Sequence, residues 1–246
     1  MPLPKISVPL HQIEVPSTKK KVSVRQMTIK EEKVLMSAKE SDEAIDRLNA
    51  IINTVNACIM EEGFETNKLT MYDIEYLFMR LRALSVSNIV PLTLNEFGKT
   101  DDGEYDYDNI IKTHDFSVDL SEVKMQEPDE PVEDTITIDD VVIQLRHPPV
   151  EMYTSKEYLE QDSEADITGI LMRNSIKGIF QGDKAFPSHS KEELNEFIDS
   201  LPPSALEAFN KYITSQPHLY YKVEYVRQDG ETETYELASL SDFFTF

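Results

Sequence analysis

Residues 70–88 read TMYDIEYLFMRLRALSVSN. Apolar side chains recur in this stretch at three- and four-residue spacing, which is the period of one face of an α-helix. The face consists of Ile74, Leu77, Phe78, Leu81 and Leu84. Thr70 and Asp73 are residue types that open helices. The stretch therefore predicts a helix with one buried face, and Arg80 and Arg82 lie off that face.

Two more helices are predicted N-terminal to this one. Thr28 and Glu31 have the spacing of a capping box, in which each side chain binds the other residue's backbone N–H. A second apolar stripe of helical period begins after Ser41 and runs until Gly63. We expect the three helices to pack together and to follow an N-terminal β-hairpin.

Beyond Asn88 the apolar period changes from helical to two-fold, which is typical of strands. The segments with this period are 89–94, 116–120, 136–138 and 141–145. They predict a small antiparallel sheet. The run His147-Pro148-Pro149 interrupts regular structure and suggests a boundary between a domain of residues 1–147 and a domain of residues 148–246.

The second half is predicted to be mainly helical. One helix is expected around residues 153–161 and another carries Ile167 to Ile179. A third starts at the capping pattern of Ser190, and a fourth begins at Pro202-Pro203. A β-hairpin that turns at Asp229-Gly230 closes the chain. The fold class expected is α+β.

Composition limits the classes of partner. The chain has 246 residues, with 24 Lys and Arg against 46 Asp and Glu, which gives a net charge of −22. Such a surface repels phosphate backbones and anionic lipid, so a nucleic-acid reader is disfavoured. No apolar segment is long enough to span a bilayer. Cys58 is the only cysteine, so it cannot form an internal disulfide, and it is expected in the core.

No motif in the sequence predicts catalysis. The five histidines are scattered, and no glycine-rich phosphate-binding pattern occurs. Ser188-His189-Ser190 is better interpreted as a helix N-cap than as part of a catalytic triad. We therefore expect no enzyme activity, no cofactor and no metal. A remote alternative is a hydrolase that uses carboxylates of residues 98–140, and it requires one with a raised pKa in an enclosed cleft.

Residues 98–140 are the most acidic region, with 15 Asp and Glu against three Lys. Solvated acidic loops are the favoured interpretation, and a weak calcium site in residues 101–108 is the alternative. Either would offer a docking surface to a protein with a basic face. The basic run Lys19-Lys20-Lys21 is better interpreted as a solubilising hairpin turn. Its alternative is a site that docks an acidic partner, including such loops of another copy, so self-association is a further possibility.

Several stretches, taken in order and spacing, carry a resemblance. They are Ile13-Glu14-Val15-Pro16-Ser17-Thr18, residues 28–41, Asp73 to Asn88, the C-terminal stretch 221–231 and the ending Leu240-Ser241-Asp242-Phe243-Phe244. Together they resemble the T4-type bacteriophage baseplate hub family, small proteins tied to hub subunits and hub assembly.

The resemblance implies a phage tail-morphogenesis protein that works in the cytoplasm of the infected bacterium. Its partners would be other baseplate hub or tail proteins, and it would act as a transient assembly factor or remain as a stoichiometric structural component of the virion baseplate. The family often carries a cysteine-bearing turn of zinc-ribbon type near the C-terminus. Here the turn is Asp229-Gly230 without cysteines, so no metal is implied.

Five side chains are candidate partner-binding residues. Arg80 and Arg82 can fork onto carboxylates of a neighbour, or can form an internal ion pair with Glu75 or another carboxylate. The terminal aromatics can insert into a partner pocket, or can pack back on the protein's own hairpin. These aromatics are Phe243, Phe244 and Phe246.

Overall fold

The fold is α+β, as the sequence predicts. The structure, a computed structural model, describes residue 6, residues 8–100 and residues 102–244. The helices are α1 (Ile29–Lys39), α2 (Ala44–Cys58), α3 (Met71–Ser85), α4 (Val150–Tyr153), α5 (Lys156–Leu159), α6 (Glu164–Ser175), α7 (Lys191–Asp199), α8 (Pro203–Thr214) and α9 (Leu240–Phe243).

All strand pairs are antiparallel. The strands are β1 (Leu10–Glu14), β2 (Lys21–Arg25), β3 (Ile89–Lys99), β4 (Tyr105–Asp119), β5 (Lys124–Gln126), β6 (Thr135–Ile138), β7 (Val141–Leu145), β8 (Ile176–Gln181), β9 (Lys184–Phe186), β10 (His218–Val226) and β11 (Thr232–Leu237). They form the sheets β1-β2, β3-β4, β11-β10-β5 and β6-β7-β8-β9.

The chain divides into two compact units, and each is discontinuous in sequence. Unit 1 contains residues 1–64, 75–126 and 218–246, and unit 2 contains residues 65–74 and 127–217. Residues 218–246, which the sequence analysis grouped with the second half, thus lie in unit 1. The assignment of domains 1–147 and 148–246 stays a prediction, because a compact unit is not by itself an independently folding domain.

Unit 1 is built around the N-terminal hairpin and the first helices. The capping box predicted at Thr28 and Glu31 is present and starts α1. Helix α2 ends at Cys58 rather than at Gly63, because Ile59 leaves the helix and bridges Val24 of β2. The core side chains are apolar and fully buried, and they include Val15, Val22, Val24, Val55, Cys58, Leu77, Phe78, Leu81, Leu120, Leu219 and Leu237.

Unit 2 is a four-stranded sheet covered by helices. Its core is formed by Ile136, Ile143, Leu145, Met172, Ala205, Phe209 and Tyr212. The capping box at Ser190 and the start of α8 at Pro203 agree with the sequence prediction. The helix expected through Ile179 ends at Ser175, and Ile176 and Ile179 instead belong to β8, where Ile179 pairs with Ile143.

The single sheet predicted for residues 89–145 is wrong. Strands β3 and β4 form a long two-stranded hairpin in unit 1, whereas β6 and β7 pair with β8 and β9 in unit 2. A two-fold apolar period identifies strands but carries no information about which strand is the neighbour.

The C-terminal hairpin is confirmed. Strands β10 and β11 pair along their length, with Tyr221 opposite Leu237 at one end and Val226 opposite Thr232 at the other. The turn between them uses Gly230, whose φ of 89° is in the left-handed region that glycine adopts without steric cost. Strand β10 also pairs with β5, so the hairpin is part of a three-stranded sheet.

Candidate docking surfaces

Arg80 holds a backbone loop of its own unit. Its Nη1 donates to the carbonyl of Leu120 at 2.9 Å and to that of Ser121 at 3.3 Å, and its Nη2 donates to the carbonyl of Val123 at 3.0 Å. The guanidinium also lies 4.9 Å from the centre of the Tyr76 ring. The sequence suggests carboxylates as the acceptors, whereas the acceptors in the structure are backbone carbonyls. A role of Arg80 in binding a partner stays a prediction.

Arg82 forms an internal ion pair. Its Nη1 lies 2.7 Å from Oε1 of Glu32, so α3 is tied to α1. Both side chains remain about one third exposed. One of the two alternatives drawn from the sequence, an internal pair with a carboxylate, therefore describes Arg82 in the isolated chain.

The C-terminal aromatics lie on α9 and the residue that follows it. Phe243 is buried, with 4% of its surface exposed. The Phe244 ring meets the Phe78 ring edge to face, with the centroids 6.0 Å apart. Phe246 lies outside the described residues. Both side chains thus pack against the protein itself, and the Phe244 ring contacts α3 where the sequence-based expectation named the hairpin. Their insertion into a partner stays a prediction.

Three of the candidate residues meet at one surface depression, which we call the α1–α9 groove. It has a volume of about 710 Å³. Arg82, Phe243 and Phe244 line it, whereas Arg80 lines a different depression. The other lining residues come from five elements of unit 1: Glu32, Leu35, Met36 and Lys39 of α1, Phe78 of α3, residues 90–94 of β3, Tyr235 of β11, and Ser241 and Asp242 of α9.

The groove is lined mainly by apolar side chains, with some charged ones among them. Met36 on the α1 wall is 65% exposed. The Arg82–Glu32 pair and Lys39 supply charged groups to the lining. Protein–protein interfaces usually combine apolar contact area with polar and charged groups.

A carboxylate with a raised pKa lies beside α9. Burial, together with the smaller effect of the negative charge of Asp242, raises the pKa of Glu75 to about 7. Asp242 is held in place because its Oδ2 accepts the backbone N–H groups of Ala238 and Ser239 at 2.9 and 2.8 Å. The sequence suggests Glu75 as an ion-pair partner of Arg80 or Arg82, whereas the structure pairs Arg82 with Glu32 and Arg80 with backbone carbonyls. The proximity of Glu75 to Asp242, 167 positions later in the numbering, has no local signal.

The acidic region 98–140 is more ordered than the expected loops. Strand β4 covers residues 105–119, and β5 and β6 lie further along. Among the residues that the structure describes, no group of three or more His, Cys, Asp or Glu side chains is arranged to hold a metal ion. The carboxylate whose pKa rises to about 7 is Glu75, which lies outside this region.

Two histidines occupy structured environments that sequence spacing could not indicate. His147 in unit 2 stacks on Tyr212 at 4.6 Å and meets Tyr72 edge to face at 5.6 Å. Burial lowers the pKa of His147. His114 in unit 1 lies against Tyr225, with ring centroids 4.6 Å apart, and its Nε2 is 3.5 Å from Oε2 of Glu96. Both serve to pack distant segments together.

One comparison with known proteins identifies the family of the chain. The family model of the T4 bacteriophage base plate protein matches residues 8–245, nearly the whole chain. The chain belongs to this family. Membership in this family of T4-type phage baseplate proteins implies that the chain interacts with other phage proteins.

No curated protein and no solved structure matches this baseplate protein. In the described part of the chain, none of the helices combines the length and apolar character that crossing a membrane would require. The family membership thus rests on the match of the family model to residues 8–245.

Proposed function

We propose that this baseplate protein promotes assembly of the central hub by binding another hub or tail protein, as an assembly factor and without catalysis. The observation that carries the proposal is the α1–α9 groove. An apolar depression open to solvent is costly to leave uncovered when it is large, and a partner side chain that fills it removes that surface from water. Family membership supplies the class of partner, another phage protein.

The groove has the size and the chemistry of an anchor site. About 710 Å³ is room for a few large side chains of a partner. Lys39 and the exposed edge of the Arg82–Glu32 pair offer polar contacts around such an anchor. A partner carboxylate that displaces Glu32 from Arg82 would form the fork expected of this arginine, at the cost of one weak ion pair that is about one third exposed.

A charge placed on the α1 wall tests the groove. We expect Met36→Glu to abolish copurification of the protein with baseplate proteins from infected cells and to prevent complementation of a phage that lacks this gene. Met60→Glu is the matched control, because Met60 is also an exposed methionine of unit 1, at 51%, and does not line the groove. Equal behaviour of the two variants would contradict the proposal.

Quantitative mass spectrometry separates the two modes of action. We expect the protein to be abundant in the lysate of infected cells and absent from purified particles, as for a transient factor in the host cytoplasm. Stoichiometric retention in particles would instead identify a structural component of the virion baseplate, and absence from both samples would contradict either mode.

A further inference from the structure

In the distal part of the β3–β4 hairpin, within residues 97–111, the described residues show shifts in strand register. We call this segment the hairpin tip. Gly98 pairs with Asp106 but the next residue inward, Phe97, pairs with Ile110, so β4 carries three additional residues at this point. These are Tyr107, Asp108 and Asn109. Bulges of this kind redirect side chains away from the regular pleat.

The proximal part of the same hairpin is anchored to the β10–β11 hairpin. Lys112 Nζ donates to the carbonyl of Arg227 at 3.3 Å, and a carboxylate oxygen of Glu96 accepts the backbone N–H of Gln228 at 3.1 Å. The rings of His114 and Tyr225 are in contact. A two-stranded ribbon is only marginally stable by itself, and these contacts hold its base.

Beyond this anchor the hairpin tip exposes large apolar side chains. Tyr107 is 73% exposed although its ring meets that of Phe97 edge to face at 5.2 Å. Tyr105, Ile110 and Ile111 are 53%, 52% and 40% exposed. Strands β3 and β4 form a two-stranded sheet in the described part of the chain, so each keeps an edge without a strand partner. Exposed apolar groups on unpaired strand edges are a liability unless another surface covers them.

The charge of the hairpin tip specifies what can cover it. Residues 97–111 contain five Asp and Glu against Lys99 alone, a net charge of −4. Asp102, Glu104 and Asp108 are exposed and Asp106 is half-buried, so these carboxylates lie in the same segment as the exposed apolar side chains. The same tip of a second copy would be repelled by its like charge, whereas a basic face is attracted and oriented.

We propose that the hairpin tip is a second docking surface, separate from the α1–α9 groove, for a baseplate protein that presents apolar side chains within a Lys- and Arg-rich face. Tyr107, Ile110 and Ile111 supply the apolar contact, and Asp106 and Asp108 supply the charge complementarity. The proposal rests on the proposed function only for the class of partner.

Site-specific photo-crosslinking in infected cells tests the proposal with the full chain. Tyr107→benzoylphenylalanine reports on the hairpin tip and Met36→benzoylphenylalanine reports on the groove. We expect position 107 to crosslink to another baseplate protein of the phage, within a segment that has an excess of Lys and Arg. When the lysate is prepared before irradiation, the yield should fall at least fivefold between low salt and 0.5 M salt, because salt screens the contact.

Removing charge at the tip provides the second arm of the test. With the crosslinker at position 107, Asp106→Asn together with Asp108→Asn should lower the yield at least fivefold and leave the unfolding temperature unchanged. The matched control is Asp115→Asn together with Glu122→Gln, which removes two carboxylates from outside the tip and should leave the yield intact.

Each contrary result has its own meaning. A crosslink from position 107 to a second copy or to an acidic segment would overturn the choice of partner. A crosslinking yield that changes neither with salt nor with the removal of Asp106 and Asp108 would overturn it too. Crosslinking from position 36 without any from position 107 would overturn the inference and leave the groove standing. Crosslinking from position 107 without any from position 36 would overturn the groove as a docking site and support the tip. Absence of crosslinks from both positions would overturn both docking sites.

Discussion

The Phe244 ring lies edge to face on the Phe78 ring, with the centroids 6.0 Å apart. One ring comes from the end of the chain and the other from the helix whose apolar face dominates the sequence. Both rings line the α1–α9 groove. A terminal segment that suggests an aromatic anchor in the sequence is thus part of the wall of the proposed docking surface.

Truncating Phe243 tests whether α9 belongs to the core. Phe243→Ala should lower the free energy of unfolding by about 3 kcal/mol, because it leaves a cavity where a buried ring was. Chemical denaturation followed by circular dichroism measures the effect. Tyr107→Ala is the control, since that ring is 73% exposed, and it should change stability by no more than about 0.5 kcal/mol. An unchanged denaturation midpoint for Phe243→Ala would assign this ring to docking alone.

The two arginines of α3 should differ in their importance for stability. Arg80→Lys should lower the free energy of unfolding by about 1–3 kcal/mol, because one ammonium cannot reproduce the fork that holds the carbonyls of Leu120 and Val123. Arg82→Lys, on the same helix, should cost less than about 1 kcal/mol, because its pair with Glu32 is one third exposed. Thermal denaturation of both variants provides the comparison, and equal losses would contradict the distinction.

Glu75 should make the protein less stable as the pH rises. Its pKa is about 7 in the folded protein and 4.5 is its ordinary value. Between these values the folded state holds a proton that the unfolded chain has released, so the stabilisation is complete below pH 4.5 and is lost as the pH passes 7. Glu75→Gln should therefore raise the free energy of unfolding at pH 8 by about 1–3 kcal/mol relative to the natural protein.

Denaturant titrations at pH 5 and pH 8 measure this difference. Glu224→Gln is the control, because Glu224 is exposed and its replacement should not change the pH dependence. If Glu75→Gln destabilises the protein equally at both values of pH, the burial of an ionising carboxyl at this position is refuted.

Glu31 should have the opposite pH dependence. Its hydrogen bond from Arg25 at 2.8 Å and its bonds from Thr28 lower its pKa to about 2. The stabilisation is present above the ordinary value of 4.5 and is lost as the pH falls through 2. Glu31→Gln should lower the free energy of unfolding by about 2 kcal/mol at pH 7, and the loss should shrink toward pH 2.

Acid unfolding curves of the Glu31→Gln variant measure this effect. Glu62→Gln is the control, because Glu62 is an exposed residue of the same unit. A loss that is the same at pH 7 and near pH 2 would show that Glu31 acts through packing rather than through its charge.

Local features of the fold could be predicted because they depend on neighbouring residues. The capping boxes at Thr28 and Ser190, the apolar face of α3 and the turn at Gly230 all follow from contacts within a few positions. The physical reason is that hydrogen bonds of caps and turns, and the period of an apolar face, are fixed by local backbone geometry.

The arrangement of strands could not be predicted in the same way. Apolar residues follow the same two-fold period in residues 89–94 and in residues 136–145, yet the strands that form there belong to different sheets. Likewise, Ile179 has a spacing that suits a helix but lies opposite Ile143 in a sheet. Pairing is decided by which surfaces can be buried together, and that is a property of the whole chain.

By itself the sequence determined the α+β class, the acidic character, the positions of the helix starts and the resemblance to baseplate hub proteins. Only the tertiary structure decided that Arg82 faces Glu32, that Phe244 meets Phe78, and that Glu75 lies near Asp242. These pairs join positions separated by 50 or more residues. Their partners are selected by burial and packing in three dimensions, for which a one-dimensional pattern carries no local signal.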